Sequence, residues 1–120
     1  MINITLVNET RKDNIFYHSG IKELELYDLF LKMDFAITSG GVIIKELATC
    51  GVPSIAILQA DNQIDNINNL LIQGLIGYAG KIGSKIFERN LEEQIFSYHN
   101  FHRRKEIHDR CISVLDGSPN

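Results

Sequence analysis

Three groups of residues in this chain have types and spacing that could do chemistry. Ser39-Gly40-Gly41 stands between an apolar run and a helical pattern in ITSGGVIIKELATCGVP. Glycines let a backbone turn tightly and let a ligand approach it closely. The N–H groups opening the following helix would favour an anion such as a phosphate. Glu46 lies within that helix pattern, on the face shared by Val42, Lys45 and Thr49. A carboxylate there could accept two hydrogen bonds from a ribose diol if that face bordered a cleft. Asp61-Asn62-Gln63 follows a second apolar run, and the amides of Asn62 and Gln63 offer uncharged donors and acceptors suited to sugar hydroxyls.

Each group also has a plainer explanation. Ser39 could cap the helix, Glu46 could be a solvated carboxylate favoured early in a helix, and Asp61 or Asn62 could cap the next helix. The remaining candidates are weaker still. His99 and His102 straddle an expected helix break with no further ligand at zinc spacing, and His18 and His108 stand apart from them. No metal site is expected. His102-Arg103-Arg104-Lys105 reads as a solvated helical face, because the chain is acidic and lacks interleaved aromatics. Cys50 and Cys111 are far apart and outside any CxxC, as expected of buried reduced thiols.

The elements that must position these residues follow from periodicity. Ile2–Asn8 alternates as a strand, and Ile15–His18 reads as a short second strand closed by Ser19-Gly20. Leu24 to Met33 has the spacing of a helix with a broad apolar face. Phe35–Thr38 and Ser54–Leu58 are continuous apolar runs, the pattern of strands buried on both faces. Between them a helix is expected from Val42 to Cys50, with Ile43, Ile44, Leu47 and Ala48 inward, Gly51 as its stop and Pro53 preventing continuation. A helix opening at Asp61–Gln63 carries Ile64, Ile67, Leu71 and Leu75, and Gly74 or Gly77 ends it. Ile76–Ala79 is a faint strand, and helices at Leu91–His99 and Arg103–Leu115 complete the chain. Strands alternating with helices across short loops predict one α/β domain over residues 1–120, a Rossmann-like parallel sheet with helices on both faces. In such sheets ligands bind beyond the carboxyl ends of the strands, where Thr38–Gly41 and Gln59–Gln63 would lie.

Composition sets the outer bounds. Of 120 residues, 44% are hydrophobic and 22% charged, with a formal charge of −3, so neither nucleic acid nor an anionic membrane is attracted at long range. No apolar run nears the roughly 18 residues that cross a bilayer. The N-terminus lacks a basic, cleavable leader, which makes the cytoplasm the expected location.

The stretch from Asp34 to Gly80 resembles the nucleotide-sugar-binding C-terminal half of GT-B glycosyltransferases. It is most similar to the branch holding the UDP-sugar hydrolase of pseudaminic acid synthesis and spore-coat polysaccharide biosynthesis proteins. The murein glycosyltransferases share a looser version. The resemblance rests on Asp34 to Thr38, Ser39-Gly40-Gly41, Glu46-Leu47, Gly51-Val52-Pro53, Ser54–Leu58 and Asn62-Gln63 taken together. It implies that Ser39, Gly40 and Gly41 lie at a donor diphosphate, that Glu46 meets the ribose and that Asn62 and Gln63 meet the sugar. It implies a UDP-type sugar nucleotide as ligand, no separate cofactor, and glycosyl transfer or nucleotide-sugar hydrolysis in surface polysaccharide synthesis. A GT-B enzyme needs two such domains, and the branch keeps its proposed catalytic histidine in the other one. The chain is expected to enter the pattern one β-α unit late and to rely on a missing N-terminal domain or partner chain for catalysis. The alternative is a non-catalytic interaction domain that self-associates through an uncovered sheet edge or face.

Overall fold

The computed structural model describes residues 2–7, 15–21 and 34–115, so the helix expected from Leu24 to Met33 and the stop at Asp116-Gly117 lie outside the described residues. Strands β1 (Ile2–Val7), β2 (Ile15–Ile21), β3 (Phe35–Ser39), β4 (Ser54–Leu58) and β5 (Gly77–Lys81) form one sheet in the order β2-β1-β3-β4-β5. The described helices are α1 (Val42–Thr49), α2 (Ile64–Ile72, entered through a 3-10 turn at Asp61–Gln63), α3 (Phe87–Tyr98) and α4 (Phe101–Val114).

Strands β3, β4 and β5 are parallel, linked through α1 and α2 as the alternating pattern predicts. The fold is α/β with a Rossmann-like parallel unit. Strand β1 extends that unit differently, running antiparallel to both β2 and β3. Residues 8–14 are too few for the crossover of a dozen or more residues that a parallel β1–β2 pair requires. Strand β2 also continues through Ser19 and Gly20, where Ile21 pairs with Ile2.

Side-chain parity puts helices on both faces. Phe35 meets Tyr98 of α3 edge-on, with ring centroids 5.8 Å apart. Gly40, of opposite parity along the same chain direction, faces Ile67 of α2. Right-handed crossovers between successive parallel strands place α1 and α2 together on that second face.

Helix α1 is amphipathic as expected: Ile44, Leu47 and Ala48 are buried, Ile43 and Glu46 half-buried, Lys45 and Thr49 exposed. In α2 the buried residues are Ile67 and Leu70, whereas Leu71 is exposed and Leu75 lies beyond the helix end. Both helices stop in the same way. Gly51 takes φ 76°, with Gly51 N–H donating to Ala48 O and Val52 N–H to Leu47 O. Gly74 takes φ 72°, with Gly74 N–H donating to Leu71 O and Leu75 N–H to Leu70 O. These are paired Schellman closures, which need a residue tolerant of the left-handed region.

Helix α4 crosses both closures. His108 Nδ1 lies 2.7 Å from Gly51 O, so that nitrogen carries the proton. Arg110 reaches Gly74 O at 3.5 Å, and Cys111 Sγ–H donates to Leu75 O at 3.4 Å. The helix starts two residues before its expected position because Asn100, not a later residue, caps it, accepting from Arg103 N–H at 3.0 Å. Helix α3 starts four residues early, at Phe87, where no side chain caps it and so no cap signal marks it in sequence.

Cys111 is fully buried, and burial pushes its thiol up to about 11 from 9.0 while Arg110 pulls the other way. A raised folded-state value means the thiol contributes stability below pH 9, lost as pH rises through about 11. Denaturant titrations at pH 8.5 and 11 should show the wild type losing ~2 kcal/mol more than Cys111→Ala over that interval. Equal losses would contradict this coupling.

Candidate functional site

The carboxyl edge of the parallel strands is built from three chain segments. Strand β3 ends at Ser39, and Gly40 N–H still donates to Ile57 O at 3.1 Å, holding the turn against β4. Neither Gly40 nor Gly41 has positive φ, so these glycines are not there for backbone handedness. They are there for lack of a side chain, each for a different reason. A Cβ on Gly40 would be driven into the side chain of Ile67, whereas one on Gly41 would lie 3.7 Å from Gln63 Nε2 and meet nothing closer. Gly40 thus lets the turn lie on α2. Gly41 leaves an opening beside Gln63.

The capping explanation for Ser39 does not hold, because Gly41 is the N-cap of α1 and no side chain caps that helix. Ser39 is half-buried at the strand end. On the neighbouring loop, Gln63 Oε1 accepts from Gln59 N–H at 3.2 Å and from Ala60 N–H at 3.4 Å. This is half of a capping box; the N-cap residue, Ala60, has no side-chain acceptor to supply the other half. Asp61 does not cap the helix but pairs with Lys81 at 3.1 Å. Both groups are exposed, so the pair adds little stability, though it ties the ends of β4 and β5. Asn62 is exposed.

The structure therefore brings Ser39, Gly40, Gly41 and Gln63 together, with Asn62 on the same loop. Glu46 is less closely joined. Burial pushes the Cys50 thiol up, and the Glu46 carboxylate adds to that shift, so its charge is felt toward the far end of α1. Among the described residues, no hydrogen bond or ion pair links Glu46 to the glycine turn.

Sequence reasoning missed Lys81, a cation at this edge. The signal available for it was position alone: it is the last residue of the next parallel strand. A cleft of about 500 Å³ was missed as well, at the opposite edge, between the Gly51–Pro53 loop and α4, where Cys50, Phe101, Arg104, Lys105 and His108 meet. Three of its polar side chains are engaged within the fold. Arg104 donates to Tyr98 O at 2.8 Å, Lys105 pairs with Asp109 at 3.0 Å and His108 holds Gly51 O. Among the described residues, no three His, Cys, Asp or Glu side chains converge as metal ligands. No described helix is long and apolar enough to cross a membrane.

No family model, curated protein or solved structure matches this chain. The functional reading therefore rests on the geometry of the carboxyl edge and on the residue pattern.

Proposed function

We propose that this domain binds a sugar nucleotide of the UDP type at the carboxyl edge of β3 and β4, as the donor-binding half of a glycosyltransferase or nucleotide-sugar hydrolase. The observation that carries the reading is the meeting of the Ser39-Gly40-Gly41 turn with the Gln63 amide. The turn leaves the N–H groups opening α1 uncapped, and the amide stands beside Gly41. Open α/β sheets hold ligands at that edge, and an uncapped helix start favours phosphate. The resemblance to GT-B donor domains that Glu46, Gly51-Val52-Pro53 and Asn62-Gln63 carry supports a nucleotide sugar over a simple anion. In this reading Glu46 turns to the ribose and Asn62 to the sugar. A second domain or chain supplies the reacting groups.

Amide NMR titrations with UDP, UDP-N-acetylhexosamine and CMP test the reading. Saturating nucleotide should move amides at Ser39–Gly41, Glu46 and Asn62–Gln63; an unchanged spectrum there refutes it. Glu46→Ala should weaken UDP binding about tenfold, as loss of hydrogen bonds to a charged acceptor does, with the melting temperature nearly unchanged. A large stability loss with unaltered binding would make Glu46 a purely structural carboxylate.

A further inference from the structure

We draw no further inference here: the strongest candidate, the cleft between the Gly51–Pro53 loop and α4, carries nothing, because Arg104, Lys105 and His108 in its wall are held by Tyr98 O, Asp109 and Gly51 O and nothing in the structure shows what would occupy it.

Discussion

Gly40→Ala is expected to destabilise the domain by about 3 kcal/mol, the upper range for forcing a methyl group into a packed core. The Cβ would enter the side chain of Ile67, which is fully buried and has nowhere to retreat. The neighbouring substitution makes the control. Gly41→Ala meets nothing closer than Gln63 Nε2 at 3.7 Å, and its φ of −82° is open to alanine, so it should cost about 1 kcal/mol or less. Gly41→Ala should nevertheless weaken UDP binding, because its methyl group occupies the opening beside Gln63. Urea unfolding of both variants measures the contrast, and Gly40→Ala combined with Ile67→Ala tests its cause. Removing most of the Ile67 side chain should recover part of the Gly40→Ala loss, making the pair non-additive. Additive losses, or equal losses for the two glycines, would refute the assignment of separate tasks.

Tyr98→Ala is expected to be the most damaging single truncation, at about 4 kcal/mol, a large share of the stability of any domain of this size. The ring is fully buried at the amino edge, edge-on to Phe35. Its hydroxyl donates to Ser54 O at 3.2 Å. Gly77 is what admits the hydroxyl, since a Cβ there would lie 2.9 Å from it. Tyr98→Phe should cost only about 1 kcal/mol, the net value of one hydrogen bond. If the two variants unfold at the same urea concentration, the hydroxyl rather than the ring holds the amino edge together.

The parallel unit was legible because Phe35–Thr38 and Ser54–Leu58 are short apolar runs joined by a helical pattern that ends in Gly51 and Pro53. Each local signal there agrees with the packing. The direction of β1 was not legible, since an alternating strand reads the same in either orientation and only pairing distinguishes them. Leu71 misled for a related reason: Leu70 and Leu71 fit the helical spacing almost equally, and contact with the sheet chose Leu70. At the candidate site, the glycine turn and the Asn62-Gln63 loop could be placed by their position after buried strands. The different tasks of Gly40 and Gly41 could not, because they depend on Ile67 and Gln63, both on another element. The Asp61–Lys81 pair joins residues 20 apart, and Gln63 is oriented by backbone N–H groups that any sequence would supply.

The bonds from α4 to the two Schellman closures bear on the order of folding. Among the described elements α4 is the last to be synthesised, yet its contacts reach back 57 residues to Gly51 and 36 to Leu75. Such contacts form only after the entropy of closing long loops has been met. While the chain emerges, the β3-to-β5 unit can assemble with Leu75 still uncovered and both glycine carbonyls facing water. The glycine turn at the other edge needs only the β3-to-β5 unit, whereas the amino edge is complete only with Ile107 and Cys111 in place.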